Sequence, residues 1–241
     1  MIKSNLVDSS WTILCDFDGT VTRGDVTDAL IASFGDADCE TLEEAWKRGD
    51  IGSRVCMSGQ VSRLAMNQRQ LDQALDTIQI DPGFPTFVKT AQALGIEVLV
   101  VSDGLDYAIR RILSRHGLNN LPVFANVLEA LGTRRWGLAF PFAQDDCVAA
   151  SGHCKCGRAA IVREQGQKVL VIGDGTSDFC VAAQADLVWA KDRLIQHCER
   201  QGLPFQPFSS FTEARAWLPD LLSGHFFPSG VTHDQERRIS T

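Results

Sequence analysis

Asp16 and Asp18 stand two residues apart, directly after the apolar run Trp11–Cys15 and directly before Gly19-Thr20. A short apolar run of this kind reads as a buried strand, and the Gly-Thr step as the turn where it ends. Two carboxylates at such a point can divide a reaction between them. One attacks as a nucleophile while the other gives and takes a proton. A lone pair of this spacing also arises by chance in an acidic chain, so its meaning depends on partner groups downstream.

Two such groups follow. Ser102, with Asp103 and Gly104 beside it, comes straight after the apolar residues 96–101 (IEVLVV). Gly173-Asp174 comes straight after residues 169–172 (VLVI), and Asp178 lies four residues further on at the start of a helical pattern. In an open parallel sheet, ligands bind at the carboxyl ends of the strands. The three clusters are therefore expected to converge on one sheet edge.

The elements that must hold them can be read from periodicity. Val26, Leu30, Ile31 and Phe34 share one helical face that Gly35 ends. Thr41-Leu42-Glu43-Glu44 has the form of a capping box and predicts a helix from there to about Gly49. Residues 53–64 and 70–78 are also expected to be helical. Residues 22–80 thus hold helices and no strand. Asp81-Pro82-Gly83 breaks the pattern, and residues 84–94 read as a helix closed by Gly95. After the second strand, Asp106–Arg115 is helical. Residues 123–127 form a third strand, 158–164 a helix, 179–185 a helix and Leu187–Ala190 a short strand.

Apolar strands alternating with helices imply an α/β fold: a Rossmann-like parallel sheet with helices on both faces. The helical stretch becomes a small cap inserted after the first strand. The expected division is a core of residues 1–21 and 81–222, a cap of 22–80 and a tail of 223–241 forming a surface arm.

The chain has 241 residues, enough for one such domain with an insertion, and 44% of them are hydrophobic. A net charge of −7 with no basic run argues against a nucleic-acid partner. No run of about 18 apolar residues points to a membrane span, and the polar first ten residues do not read as a signal peptide. The expected location is the cytoplasm. Eight cysteines there read as reduced thiols. The group His153-Cys154-Lys155-Cys156, with Cys147 nearby, lacks the usual spacing of a zinc site and reads as thiols near the site's mouth. Trp136, Phe140 and Phe142 read as core or loop anchors rather than a substrate cage.

Taken together, the stretches DFDGTVTRGDVTDALI, IDPGFPTFV, VVSDGLDYAIRRIL and VIGDGTSDFCVAAQAD resemble the haloacid dehalogenase superfamily of phosphohydrolases over roughly residues 11–190. The resemblance implies that Asp16 is a nucleophile forming an aspartyl-phosphate. It implies that Asp18 is the general acid and then the general base, with its backbone carbonyl turned to a metal. Asp174 would complete that metal site with Asp16, and Asp178 would bind a metal water or orient the site. Carboxylate oxygens suit a hard cation, so Mg²⁺ is the expected cofactor. Ser102 would bind a phosphoryl oxygen, with Gly19, Thr20, Asp103 and Gly104 lining the substrate. The superfamily also needs a cation beside the nucleophile. Lys155 and Arg158 both qualify. Arg158 has the better helix phasing, three and four residues before Ile161 and Val162, whereas Lys155 is the usual chemical type and sits at a spacing before Gly173-Asp174 more like that of some relatives; Arg158 is favoured slightly.

A helical cap after the first motif implies the phosphoserine-phosphatase-like branch. Within it, these stretches and the HCKC group are most similar to phosphatases that act on a methylthiopentenyl phosphate of methionine salvage. Asp25 stands where phosphoserine phosphatases place a Glu, and Gln60 where they place a cap Arg, with Arg54 and Arg63 nearby. The implied substrate is a small-molecule phosphate ester. Phosphoserine, phosphocholine and phosphoethanolamine remain alternatives, and the oligomeric state is left open. A receiver-like phospho-acceptor domain would also use an aspartate at a sheet edge, but Asp18 and the insertion argue against it.

Overall fold

The computed structural model describes residues 10–226. The polar N-terminal segment and the greater part of the expected tail lie outside these residues. The chain begins with β1 (Trp11–Cys15) and continues through α1 (Val26–Phe34), α2 (Asp38–Lys47), α3 (Ser53–Ser62), α4 (Gln68–Leu75) and α5 (Phe84–Ala93). Then come β2 (Glu97–Leu105), α6 (Asp106–Arg115), the hairpin β3 (Val123–Gly132) and β4 (Arg135–Ala139), and α7 (Lys155–Glu164). The rest is β5 (Lys168–Gly173), a 3₁₀ turn (Thr176–Asp178), α8 (Phe179–Ala182), β6 (Leu187–Ala190), α9 (Asp192–Gln201), β7 (Phe205–Pro207) and α10 (Phe211–Ser223).

The strands form one seven-stranded sheet in the order β4-β3-β2-β1-β5-β6-β7. Every pairing is parallel except β3 with β4. The first strand is central because both of its edges are used, Ile13 facing Val98 on one side and Leu170 on the other.

Alternation along the strands divides the core into two layers. Ile13, Cys15, Val98, Val100 and Ile172 join α5, α6 and α10 on one face. Leu14, Leu99, Val101, Val169 and Val171 join Ala159, Val162 and Val181 of α7 and α8 on the other. The first layer is the heavier. Phe84, Phe87, Phe211 and Trp189 pack ring to ring there, with Phe84 and Phe211 centroids 4.7 Å apart.

Helices α1–α4 leave and rejoin the core through a narrow neck. Thr22 bridges Ile80 in antiparallel fashion, and the Asp81 amide donates to the Val21 carbonyl at 2.8 Å. Asn67 and Gln70 make a reciprocal capping box at the start of α4, which begins two residues earlier than expected.

The expected capping box at Thr41 and Glu44 is absent. Helix α2 already starts at Asp38, whose amide donates to Asp36 Oδ1 at 3.1 Å, so both residues fall inside it. The third strand is also longer than expected and turns back as β4. Its end, Glu129 to Leu131, is exposed, so its residues show no alternation of buried and exposed faces that could have revealed it. The hairpin is fastened to the insertion, since Trp136 Nε1 donates to the Met66 carbonyl at 2.9 Å.

Candidate active site

The carboxyl ends of β1, β2 and β5 meet at the middle of the sheet. Asp16 leaves β1 with its amide donating to the Ile172 carbonyl at 2.8 Å, which ties the first motif to the end of β5. Phe17 turns wholly into the core, so Asp16 and Asp18 are left on the open side. Gly19 follows at φ +76°, and a Cβ there would strike the Asp174 carboxylate. Only glycine combines that backbone with that neighbour. Thr20 Oγ1 then donates to Asp174 Oδ1 at 2.8 Å.

Asp16, Asp174 and Asp178 each offer a carboxylate oxygen, and these oxygens lie within 4.8 Å of one another. Among the described residues this is the only group of histidine, cysteine and acidic side chains with metal-holding geometry. The thiols around residues 147–156 do not form one. Asp178 is buried, and its Oδ2 accepts from the Asp174 and Gly175 amides at 3.2 and 3.3 Å.

Lys155, not Arg158, is the cation at this cluster. Its Nζ lies 2.7 Å from Asp16 Oδ1 and 2.6 Å from Asp178 Oδ1, and donates to Ser177 Oγ at 3.1 Å. Helix α7 begins at Lys155, three residues before the expected start, so the phasing that favoured Arg158 described the second turn instead of the first. The Arg158 guanidinium lies 3.6 Å from the centre of the Phe124 ring and 5.6 Å from that of Phe142.

The electrostatics follow from burial. Burial lifts the Asp16 carboxyl well above its ordinary value; Lys155 opposes this, and Asp178 and Asp174 reinforce it. Burial and Asp178 raise Asp174. Burial works against the Lys155 charge, but Asp16 and Asp178 outweigh it and hold the ammonium protonated. When ionised, these three carboxylates outnumber the one ammonium, and their repulsion adds to burial in raising Asp16 and Asp174. The site therefore favours a cation.

Asp18 sits apart from that cluster. Its Oδ1 accepts from the Val26 amide at the start of α1 at 2.9 Å, and its Oδ2 is 3.4 Å from Ser102 Oγ. Burial, then the charge of Asp25, pushes it up to about 8. The shift favours the protonated carboxyl near neutral pH. Ser102 is almost wholly buried, and its hydroxyl accepts from the Gly104 amide at 2.9 Å. A Cβ at Gly104 would collide with Asp18 Oδ2.

Other expected residues are placed elsewhere. Gln60 is buried between α2 and α3, where its Nε2 donates to the Cys39 carbonyl and to Glu43 Oε2, both at 3.3 Å. It faces the interior of the insertion rather than the cleft. Asp25 caps α1 through the Asp28 amide at 2.9 Å. The Asp103 carboxylate is engaged on both oxygens, by the His153 amide at 2.7 Å and by Ser53 Oγ at 3.2 Å. Trp136 and Phe142 are anchors: Phe142 packs 5.5 Å from Phe124 and 4.9 Å from His153.

Sequence reading passed over Ser177, Ser53 and Asn126. Ser177 lies inside the Gly173-Asp174 cluster, between Asp174 and Asp178, which were both named. Asn126 is a fully buried polar residue in an apolar strand, and that contrast was the available signal.

A family model described as haloacid dehalogenase-like hydrolase matches residues 13–183. A protein of Exiguobacterium sibiricum named 2-hydroxy-3-keto-5-methylthiopentenyl-1-phosphate phosphatase is 35% identical over 208 residues, covering 83% of this chain and 92% of its own. One of the same name from Lysinibacillus sphaericus is 29% identical over 224 residues, covering 90% and 98%. Among solved structures, a phosphoserine phosphatase described as a phospho-aspartyl intermediate analogue superposes with a TM-score of 0.64 at 19% identity, over 86% of this chain and 97% of its own. A probable phosphoserine phosphatase from Vibrio cholerae gives 0.66 at 17% identity, over 91% and 69%. At such identities these structures share the fold.

Proposed function

Because the chain belongs to the haloacid dehalogenase-like hydrolase family as one of its phosphatases, we propose that it hydrolyses a small metabolite's phosphate monoester through an aspartyl-phosphate on Asp16. The observation that carries this is the placement of Lys155 against Asp16 and Asp178, with Asp174 beside them at the strand ends.

The donor set suits Mg²⁺. The oxygens are hard, the cluster when ionised has surplus negative charge, and no thiol or imidazole is among them. Asp16 and Asp174 would hold the ion, with the Asp18 carbonyl and Asp178 as further support. When bound, it lowers the repulsion between carboxylate and phosphate and keeps Asp16 ionised.

Asp16 then attacks phosphorus. The Lys155 ammonium and the Ser102 hydroxyl face the charge that develops on the phosphoryl oxygens. Asp18, whose protonated form is favoured near neutral pH, donates to the leaving oxygen and afterwards takes the proton of the attacking water. Splitting the reaction in two makes each step easier. Helices α1–α4 act as the cap that closes over this cleft, and the setting is cytoplasmic; among the described residues no helix is long and apolar enough to cross a membrane.

For the substrate, the named relatives support a methylthiopentenyl phosphate. The turning of Gln60 into the insertion is consistent with that, since it leaves no amino-acid-binding side chain at this position. A panel of phosphate esters tests the reading. The methylthiopentenyl ester should give the highest kcat/KM and L-phosphoserine should be poor; a marked preference for L-phosphoserine would reverse the assignment.

A further inference from the structure

Helix α7 opens without help from its own side chains. Its N-cap residue, Cys154, makes no side-chain capping bond, yet the next residue is Lys155. The first turn is instead held from outside. The Cys154 amide donates to the Phe142 carbonyl at 3.1 Å, and the preceding His153 amide donates to Asp103 Oδ1 at 2.7 Å. Asp103 follows Ser102 directly, and its own carbonyl accepts from Asn126 Nδ2. Its second carboxylate oxygen accepts from Ser53 Oγ at the start of α3.

The rest of the insertion is fastened elsewhere. Helix α4 is tied to α6 through Tyr107 with Asp72 at 2.6 Å and Arg111 with Asp76 at 2.9 Å. The hairpin holds Met66. At the first turn of α3, two polar links to the core are present among the described residues: Ser53 to Asp103, and the Arg54 amide to the Ala150 carbonyl at 3.2 Å. Asn126 adds a contact to Met57 Sδ at 3.9 Å. One carboxylate therefore touches the insertion on one oxygen and the segment leading into Lys155 on the other.

We propose that Asp103 is a positioning residue that couples the seating of α3 over the cleft to the placement of Lys155 against Asp16. This rests on the reading of Lys155 as the cation that serves Asp16. With α3 seated, both oxygens are satisfied and His153 is fixed two residues before Lys155. With α3 lifted, the carboxylate loses a donor and turns toward water, and the entry to α7 loosens. The ammonium is then in register only under a closed cleft. The same contacts make Asp103 unavailable to substrate.

Two measurements test this. Amide exchange read by mass spectrometry should show residues 153–160 exchanging several-fold faster in Ser53→Ala than in wild type. Unchanged exchange there would overturn the coupling, and this readout does not depend on any activity.

The second is a cycle on p-nitrophenyl phosphate. Asp103→Ala should lower kcat at least tenfold with KM within about twofold. Asp103→Asn, which keeps an acceptor for His153 and a donor for Ser53, should restore kcat to within about threefold of wild type. In a Lys155→Ala background, Asp103→Ala should cost nothing more. Additive losses would show Asp103 acting through general loosening, and the proposal would fall. A wild-type protein without phosphatase activity would remove the reading of the site, while the exchange measurement would still decide the coupling.

Discussion

Lys155 Nζ and Asp16 Oδ1 are 2.7 Å apart, with 4% and 7% of their side chains exposed. A pair this buried is costly to break from one side, because the remaining charge has no solvent to turn to. Lys155→Ala should lower kcat by on the order of 10²-fold or more and reduce stability by about 3 kcal/mol. Arg158→Ala removes a guanidinium that stacks on Phe124 instead. It should cost about 1 kcal/mol in stability and leave kcat within about threefold. Steady-state kinetics and denaturant melts of the two variants separate the roles. Comparable kcat losses in both would contradict the assignment.

The contrast between these two cations shows what could be read without a structure. The strand ends were visible because parallel strands buried on both faces are continuous apolar runs, and so β1, β2, β3, β5 and β6 with the helices between them followed, while α9, β7 and α10 went unread. Side-chain reach across the cleft is a tertiary property. The spacing before Gly173-Asp174 pointed to Lys155 and helix phasing to Arg158, and phasing misled because the weakly capped start of α7 lies three residues earlier than the apolar pattern suggested. Gln60 misled for a similar reason. Its place in the chain suggested the cleft, while its amide found Cys39 and Glu43 inside the insertion. The β3–β4 hairpin stayed hidden because its exposed half has no burial pattern to impose.

The carboxylate cluster predicts how Mg²⁺ and pH act on stability. Burial raises Asp16, Asp174 and Asp18, the last from 3.8 to about 8. The folded protein thus holds these protons more tightly than the unfolded chain. Without a divalent ion, stability should fall as pH rises from about 4 toward 8. Mg²⁺ needs the ionised oxygens, so the rise in Tm it produces should be larger at pH 8 than at pH 5. Asp174→Asn should remove most of that increment. Calorimetry with and without Mg²⁺ at the two pH values is the check; an equal increment at both would refute the link.

Gly104 predicts a kinetic defect from a single methyl group. Its amide holds Ser102 Oγ, and a Cβ would strike Asp18 Oδ2. Gly104→Ala must push the Asp18 carboxyl aside, and a displacement of this kind near the reacting atoms can cost about 10²-fold. The loss should fall on kcat more than on KM. Gly95→Ala is the control. That glycine has open space around it, and its φ of +76° makes the cost one of stability alone. A wild-type kcat for Gly104→Ala would mean that Asp18 is not where the chemistry needs it.

Asp16 and Asp18 differ in what surrounds them, and this predicts different failures. Asp16 is paired with an ammonium, whereas burial, then Asp25, pushes Asp18 up to about 8 and favours its protonated form. Asp16→Asn removes the attacking oxygen, so turnover should vanish with no covalent intermediate. Asp18→Asn keeps the nucleophile and the Val26 contact but cannot move a proton. With p-nitrophenyl phosphate, whose leaving group needs little protonation, attack should still proceed. A burst of about one nitrophenolate per site should precede a slow steady state, with the phosphoryl group trapped on Asp16 and visible by mass spectrometry of the quenched protein. In the wild type, kcat/KM for an alkyl phosphate should decline as pH rises past about 8, where Asp18 loses the proton it must donate, and the decline should be weaker for the nitrophenyl ester. The division of labour would be refuted if Asp18→Asn gave neither burst nor adduct while Asp16→Asn continued to turn over.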